Sequence, residues 1–230
     1  MNIDFANENV VQNISNLTIT KRKEKVSKKQ AYAYIKRIID CITSSIALIL
    51  LLPIFLIIAI AIRLDSKGPI FFAHTRIGKN GKPIKIYKFR TMVVNAEELI
   101  KKFTPEQMKE YKENYKLNND PRITKVGNIL RKTSLDELPQ LINIIKGDLA
   151  LIGPRPVVNA ELEKYGENAS KFLSVTPGLT GNWAANGRSI SAYEERMQLE
   201  LYYVDNMSLK MDIEIFFKTI IAVIKREGAM

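Results

Sequence analysis

Hydrophobic residues are distributed unevenly along this chain, and three of their patterns predict defined elements. Residues 41–62 contain no charged side chain, and residues 46–62 are apolar throughout. From Ile84 to Phe89 apolar and basic residues alternate, which is the period of a half-buried strand. Near the C-terminus apolar residues recur at helical spacing, at Leu209, Ile213, Phe216, Phe217, Ile220 and Ile224. We expect a mostly α-helical protein with a small β-hairpin and a C-terminal helix. The stripe of this helix is expected to pack into the core, with contact to a membrane as the less favoured alternative.

The uncharged run is long enough to reach across a bilayer. A helix of its 22 residues extends about 33 Å, against a hydrocarbon thickness of about 30 Å. Both of its flanks are basic, because residues 21–37 and residues 63–90 each carry eight Lys and Arg side chains against one acid. Since an excess of Lys and Arg marks the cytoplasmic side, both flanks are predicted to lie on that face.

Pro53 lies in the middle of this run, where it removes a backbone donor and crowds the preceding turn. Two arrangements follow. One is a kinked single-span anchor, and the other is a re-entrant helix–break–helix that enters and leaves on the cytoplasmic face. The charge of the two flanks favours the second. We therefore predict a monotopic membrane protein with a variable basic leader over 1–31, loosely ordered over 1–20, a re-entrant membrane helix over 32–66 and a cytoplasmic catalytic domain with interfacial helices over 67–230.

The segment after the apolar run contains the predicted hairpin. Residues 69–92 hold two strand-like runs around Gly78-Lys79-Asn80-Gly81, and Asn-Gly between such runs is a hairpin signal. Residues 95–117 are charged and helix-forming, which indicates a pair of surface helices around Pro105.

Composition narrows the chemistry. The single cysteine excludes a disulfide framework within the chain, and the single histidine, His74, excludes His-rich metal sites. Neither Cys41 nor His74 has neighbouring residues that suggest a ligand set. The formal net charge of +11 favours an anionic partner, such as a membrane surface, a phosphorylated substrate or a nucleic acid.

An acidic pair in the middle of the chain, Asp136-Glu137, has two interpretations. In the first, Ser134 and Glu137 form a capping box. Pro139 disfavours this register, because it would occupy an interior helical position. In the second, Asp136 caps the helix and the helix dipole keeps its carboxylate ionised, as a nucleophile or metal ligand requires. Capping and catalysis remain open alternatives for Asp136, since one residue can do both.

Basic residues surround this pair in the sequence, and arginine matches phosphate oxygens bidentately. Arg155 lies between Pro154 and Pro156. Two prolines restrict the backbone there, which favours a side chain held in one direction over a mobile one. A solvated basic face is the alternative for the others, which are Arg122, Lys125, Arg131 and Lys132. A second candidate region is the glycine-rich loop over 177–188, where Trp183 is suited to stacking on a base or lying at a membrane interface.

Several motifs in order resemble the bacterial sugar transferases, the monotopic phosphoglycosyl transferases that begin glycan assembly on a polyprenyl phosphate. The similarity extends over about residues 32–228. Its motifs are Lys36-Arg37-Ile38-Ile39-Asp40, Tyr87-Lys88-Phe89-Arg90-Thr91-Met92, Asp120-Pro121-Arg122-Ile123-Thr124, Ser134-Leu135-Asp136-Glu137-Leu138-Pro139-Gln140-Leu141, Gly153-Pro154-Arg155-Pro156, Pro177-Gly178-Leu179-Thr180-Gly181 and Asn186-Gly187-Arg188. Because the large N-terminal region of some relatives is absent, we expect a minimal catalytic form.

The resemblance implies a reaction and assigns residues to it. A UDP-sugar gives its sugar-1-phosphate to undecaprenyl phosphate and releases UMP, through an ester formed on Asp136. Glu137 would orient a group or relay a proton, and Mg²⁺ would bind near Asp136. The implied phosphate-binding residues are Lys88, Arg131 and Arg155, and the substrate loop contributes Trp183, Asn186 and Arg188. Two positions depart from the family pattern: Leu52 replaces the serine that precedes the helix-breaking proline in many relatives, and Asn182-Trp183-Ala184 differs in the loop.

The expected partners are a UDP-sugar, undecaprenyl phosphate and the anionic inner leaflet of the cytoplasmic membrane, without nucleic acid. A homodimer is left open, and galactose or glucose is the expected sugar. A membrane-tethered basic scaffold or nucleic-acid-binding protein is the alternative of another class. A glycosyl transferase that releases UDP is the alternative within the class.

Overall fold

The computed structural model describes residues 4–114, 117, 119–187 and 193–225. Contacts divide the chain into residues 1–39 and residues 40–230, and everything below on core and site concerns the second unit. Ten α-helices and four strands cover most of the described residues. The helices are α1 (Asp4–Asp65), α2 (Ala96–Ile100), α3 (Pro105–Asn114), α4 (Lys125–Lys132), α5 (Gln140–Lys146), α6 (Asn159–Leu162), α7 (Ala169–Phe172), α8 (Asn182–Gly187), α9 (Tyr193–Asn206) and α10 (Leu209–Ile224). The strands are β1 (Phe71–Ile77), β2 (Pro83–Phe89), β3 (Ala150–Ile152) and β4 (Gly178–Thr180).

The mostly helical fold and the hairpin are confirmed. β1 and β2 pair antiparallel from Phe71 opposite Phe89 to Ile77 opposite Pro83. Asn80 and Gly81 take the left-handed conformation in the connecting turn, which explains Asn-Gly there. The sequence did not suggest the second sheet, in which β3 and β4 pair in parallel. Its strands have three residues each, too few to show a period.

The helix pair around Pro105 is also confirmed, because α2 and α3 lie on either side of residues 101–104. The segment over 1–20 that the sequence suggested as loosely ordered is helical from Asp4 onward, as part of α1. The predicted helix break is absent as well, because α1 continues through Pro53 as one α-helix. A proline inside a helix removes one hydrogen bond, and the remaining bonds keep the helix formed on both sides.

One face of α1 packs against the other elements of the second unit. Ala47, Leu48 and Leu51 contact a core cluster of β2 and α5 residues, and Phe55, Ile58 and Ile62 belong to a second cluster with Phe89 and Leu130. The opposite face is exposed, with ten large apolar side chains between residues 42 and 64. These are Ile42, Ile46, Ile49, Leu50, Leu52, Ile54, Leu56, Ile57, Ile60 and Leu64.

The prediction that the stripe on α10 is core is wrong. Ile213, Phe216, Phe217 and Ile220 are exposed, whereas Ile215 is the buried apolar residue of this helix. The helical period was correct. Periodicity identifies an apolar face, but it does not distinguish a face against the core from one that contacts something outside the chain.

A buried amide joins α5 to the hairpin. Asn143 is 0% exposed, its Oδ1 accepts the backbone N–H of Tyr87 at 3.0 Å, and its Nδ2 donates to the carbonyl oxygen of Lys85 at 2.6 Å. The side chain thus pairs with the backbone of β2 as a neighbouring strand would. This fixes β2, which carries Lys88, against α5.

We expect Asn143→Ala to lower the free energy of unfolding by about 2–4 kcal/mol, because the buried amide is lost and two backbone groups of β2 lose their partner. Chemical denaturation of the detergent-solubilised protein measures this change. Asn206→Ala is the matched control, since its amide bonds to an exposed carbonyl of its own helix. Equal stability of the two variants would show that the Asn143 bonds do not hold the hairpin.

Candidate active site

A shallow cleft opens to solvent between the hairpin, the turn before α5, the loop after β3, and helices α8 and α9. The side chains that line it and carry polar groups include His74, Lys88, Glu137, Arg155, Trp183 and Glu200. Segments that are far apart in the sequence, from residue 74 to residue 200, therefore meet at one site.

The acidic pair lies in a single 3₁₀ turn, Leu135–Glu137, which follows Ser134 in the left-handed conformation. Lys88 Nζ donates to Glu137 Oε1 at 2.7 Å and lies 3.9 Å from Asp136 Oδ2. Asp136 is buried, whereas the side chain of Lys88 is one third exposed. One cation thus lies beside two adjacent carboxylates; Lys88 and Glu137 line the cleft, and the buried Asp136 lies behind them.

Neither Ser134 nor Asp136 is the N-cap of α5, so both capping interpretations are wrong. α5 begins at Gln140 with Pro139 at its N-cap position, so Asp136 is one turn too early to cap it. Ser134 makes no side-chain capping bond. Pro139 does occupy the start of the helix, where a missing N–H costs little.

The helix dipole is therefore not what controls ionisation of Asp136. Burial raises the pKa of this carboxyl, and the charge of Glu137 raises it further. Lys88 and Arg131 act in the opposite direction, and their charges lower the pKa of Asp136. The two basic residues predicted to bind phosphate thus also favour the charged form of the acid.

The structure places the predicted phosphate-binding residues differently. Arg131 donates from Nε to Thr91 Oγ1 at 2.9 Å, and burial lowers its pKa while the charge of Asp136 raises it. Arg155 lies in the wall of the cleft, with its guanidinium 5.9 Å from the centre of the Trp183 ring. Lys88 and Arg155 therefore face the cleft itself, and Arg131 acts on the acidic pair.

Arg122 has a structural position. Its guanidinium donates to both carboxylate oxygens of Asp120, at 2.6 Å from Nη2 to Oδ2 and at 2.8 Å from Nε to Oδ1. It also lies 5.2 Å and 5.0 Å from the ring centres of Phe103 and Tyr111. This buried pair joins α3 to the loop before α4 and does not line the cleft.

The three residues of the predicted substrate loop do not all belong to the cleft. Trp183 lines the cleft and lies between Arg155 and Arg196, whose guanidinium is 4.8 Å from its ring centre. Asn186 is engaged elsewhere, because its Nδ2 donates to Asn182 and its Oδ1 accepts from Lys218 of α10. Arg188 lies outside the described residues.

Three residues of the cleft region were missed by sequence reasoning: Glu161, Arg196 and Glu200. Glu161 pairs with Arg76 and Arg196, each at 3.2 Å, and Glu200 is 1% exposed on α9. On the sequence, the charges of α9 resemble a solvated helix face, and no motif marks them. His74 also lines the cleft, where burial and the charges of Arg76 and Lys88 lower its pKa.

Comparison with known proteins gives consistent matches. The sequence profile of a family described as "Bacterial sugar transferase" matches residues 31–226. An uncharacterized sugar transferase of Haemophilus influenzae is 46% identical over 85% of this chain and 42% of its own length. The undecaprenyl-phosphate galactose phosphotransferase of Salmonella typhimurium is 42% identical over 87% of this chain and 43% of its own length.

The exopolysaccharide production protein ExoY of Rhizobium meliloti is similar over almost its whole length. It is 45% identical over 84% of this chain and 87% of the relative. The chain therefore spans about two fifths of the first two relatives and nearly nine tenths of the third.

Proposed function

Since the chain belongs to the bacterial sugar transferase family, we propose that it transfers a sugar-1-phosphate from a UDP-sugar to undecaprenyl phosphate and releases UMP. The observation that carries this proposal is that Lys88, which lies beside the buried Asp136, lines one cleft together with Glu137 and Arg155. The names of similar proteins support the substrates, because they include undecaprenyl-phosphate galactose phosphotransferase and UDP-glucose:undecaprenyl-phosphate glucose-1-phosphate transferase. Such a transfer would be an initial step of exopolysaccharide or capsule synthesis.

The proposed chemistry has two displacements at one phosphorus atom. A carboxylate oxygen of Asp136 attacks the β-phosphorus, the bond from this atom to the bridging oxygen breaks, and UMP leaves with the bonding electrons. An oxygen of the lipid phosphate then attacks the same phosphorus and frees the carboxylate. Lys88 and Arg155 stabilise the phosphate charge in both steps. Glu137, which accepts from Lys88, positions that cation or relays a proton.

We propose Mg²⁺ as the cofactor, with Asp136 as its protein ligand. Mg²⁺ usually binds through one or two carboxylates together with substrate phosphates, and the Asp136–Glu137 pair fits this type of site. Within the described residues, no group of three His, Cys, Asp or Glu side chains would hold a metal without substrate. When bound, the ion offsets the negative charge of the pyrophosphate.

A non-catalytic scaffold explains the net charge equally well, but it gives no reason to bury Asp136 beside Glu137. A binding surface for nucleic acid would expose its basic residues rather than pair Lys88 with two acids. The conventional glycosyl transferase differs in its product, since it releases UDP.

Product analysis separates these alternatives. Membranes containing the protein are incubated with undecaprenyl phosphate and a panel of UDP-sugars, beginning with UDP-galactose and UDP-glucose. We expect UMP and a lipid-linked diphosphate sugar. Release of UDP would indicate the conventional transferase, and release of neither nucleotide from any donor would contradict the proposed function.

We further propose that the protein is monotopic, with its catalytic unit and both flanks of the apolar segment on the cytoplasmic face. In the part of the chain that the structure describes, one helical stretch, Gln30–Asp65, is long and apolar enough to cross a membrane. Its inner face contacts the catalytic unit from Ala47 to Ile62, a distance of about 22 Å along the helix. If this helix stood upright across the bilayer, the part of the catalytic unit that contacts it would lie in the hydrocarbon. This is unfavourable, because polar groups without hydrogen-bond partners are costly there.

The exposed face of α10 supports attachment at the same membrane surface. Ile213, Phe217, Ile221 and Ile224 are each more than half exposed. Apolar patches of this kind favour contact with lipid or another protein.

Cysteine labelling tests the proposed topology. In a Cys41→Ala background, Ala33→Cys and Lys67→Cys place one reactive thiol on each flank, at exposed positions. We expect an impermeant maleimide to label both in inverted membrane vesicles and neither in intact cells. Labelling of one flank from outside intact cells would show a single-span anchor instead.

A further inference from the structure

Glu200 is a buried acid that the proposed reaction does not use. It is 1% exposed on α9 and lines the cleft. Its Oε1 accepts the backbone N–H of Arg155 at 3.3 Å, and its Oε2 has no hydrogen-bond partner among the described residues. Burying a carboxyl group with one unsatisfied oxygen is costly, and such groups in folded proteins usually have a functional reason.

The hydrogen bond from Arg155 to Glu200 is important because both neighbours of Arg155 are prolines. Pro154 and Pro156 have no N–H, so the amide of Arg155 is the one backbone donor within this three-residue turn. Pro154 accepts from Gly178 at 2.8 Å, which ties the turn to β4. The carboxyl of Glu200 is thus the group that holds the turn from the side of α9.

The residue that follows β4, Gly181, packs between the loop after β3 and Glu200. A Cβ added to Gly181 would lie 2.1 Å from the carbonyl oxygen of Gly153 and 3.8 Å from Glu200 Oε2. Gly181 therefore lets this strand end pack closely against the loop and the acid. Arg155 and Arg196 both act on Glu200 electrostatically, and burial raises its pKa to about 7.

Unsatisfied polar atoms are concentrated near this acid. Among the described residues, five buried side-chain atoms have no hydrogen-bond partner, and four belong to Tyr165, Arg196 and Glu200. The charges of Glu200 and Arg196 both act on the hydroxyl of Tyr165, so the three residues are neighbours. Folding alone would favour a satisfied or apolar cluster at this place.

We propose that Glu200 is a positioning residue, which acts through Arg155 by holding its amide and so directing its guanidinium toward the phosphates of the donor. The inference rests on the proposed function, because it takes a UDP-sugar as the ligand of Arg155. It adds a residue from α9, 45 positions away in sequence, to the phosphate-binding apparatus. Glu200 itself does not contact the reacting atoms.

Kinetics with UDP-galactose, or with the panel sugar that gives the highest rate, test this role in the full-length membrane protein. We expect Glu200→Ala to raise KM about tenfold while kcat stays within about threefold, because ground-state binding of phosphate is lost. Glu200→Gln keeps an acceptor for the Arg155 amide and should restore KM to within about threefold. Glu195→Gln, an exposed position on the same helix, is the control and should leave both constants unchanged.

A double-mutant cycle distinguishes positioning from a general structural role. If Glu200 acts through Arg155, adding Glu200→Ala to Arg155→Ala should raise KM no further. Additive effects would overturn the proposal, and so would an unchanged KM in Glu200→Ala. If Glu200→Ala does not fold, Glu200→Asp serves instead, since its shorter side chain withdraws the acceptor and should also raise KM.

Binding of UMP, measured by calorimetry on the purified protein, separates this inference from the proposed function. Weaker UMP binding in Glu200→Ala and Arg155→Ala supports the positioning role even if the wild-type protein transfers no sugar. Unchanged UMP affinity in Glu200→Ala, with active wild-type enzyme, would overturn the inference and leave the function intact.

Discussion

Asp136→Asn is expected to lower sugar-1-phosphate transfer by at least about 10³-fold, the size of loss typical when a covalent nucleophile is removed. An amide oxygen is nearly the same size as a carboxylate oxygen, but it is a far weaker nucleophile toward phosphorus. Lys88 lies 3.9 Å from Asp136 Oδ2, so the substitution removes one of the two carboxylates next to this cation and keeps the shape of the turn. Folding and membrane association should be retained.

UMP release and transfer of radiolabelled sugar to the lipid measure the effect. Asp205→Asn is the control, because this exposed residue pairs with Lys171 on the surface and lies outside the cleft. We also expect mass spectrometry of wild-type protein incubated with donor alone to find a phosphosugar adduct on Asp136. Activity of Asp136→Asn within tenfold of wild type, or an adduct on another residue, would contradict the assignment of the nucleophile.

Lys88→Met is expected to lower kcat/KM about 100-fold at neutral pH, for two reasons. The variant loses a cation that faces the phosphates, and it leaves Asp136 and Glu137 adjacent without their shared partner. The charge of Lys88 lowers the pKa of Asp136, so its removal raises that pKa and reduces the ionised fraction at a given pH.

The sign of this effect predicts a pH dependence. Activity of Lys88→Met should rise with pH more steeply than that of wild type, because the raised pKa of Asp136 leaves more of this carboxyl to ionise as the pH increases. Profiles of kcat/KM from about pH 6 to pH 9 measure it. Lys85→Met, an exposed position of the same strand, is the control. A loss that is equal at every pH would show that Lys88 acts on the substrate alone.

The sequence predicted those features that short segments encode. The uncharged run over 41–62, the Asn-Gly turn of the hairpin and the adjacent acids Asp136 and Glu137 depend on neighbours within a few positions. Each is therefore readable without knowing what lies against it. The sequence also identified the basic side chains of Lys88 and Arg155, but their roles came from the family resemblance. The sequence alone does not distinguish a basic residue that is solvated from one that points into a binding site.

Other features depend on distant contacts and were missed or assigned wrongly. Asp136 lies in a 3₁₀ turn and not at a helix N-cap, since the segment before Pro139 packs beneath β2 rather than extending α5. The stripe of α10 has a helical period, yet most of it is exposed. Glu200 resembles a solvated helix residue in sequence, and its burial depends on the packing of α9 against the Pro154–Pro156 turn.

By itself, then, the sequence determined the long apolar segment, the helical character of the fold, the hairpin and the pair of acids, because local periodicity and turn chemistry specify these. Only the tertiary structure decided that Lys88 meets Glu137 across 49 positions and that Arg155, Trp183 and Glu200 share one cleft. The physical reason is that contacts between distant segments follow from how the helices and strands pack, and packing depends on the shape and burial of the whole core.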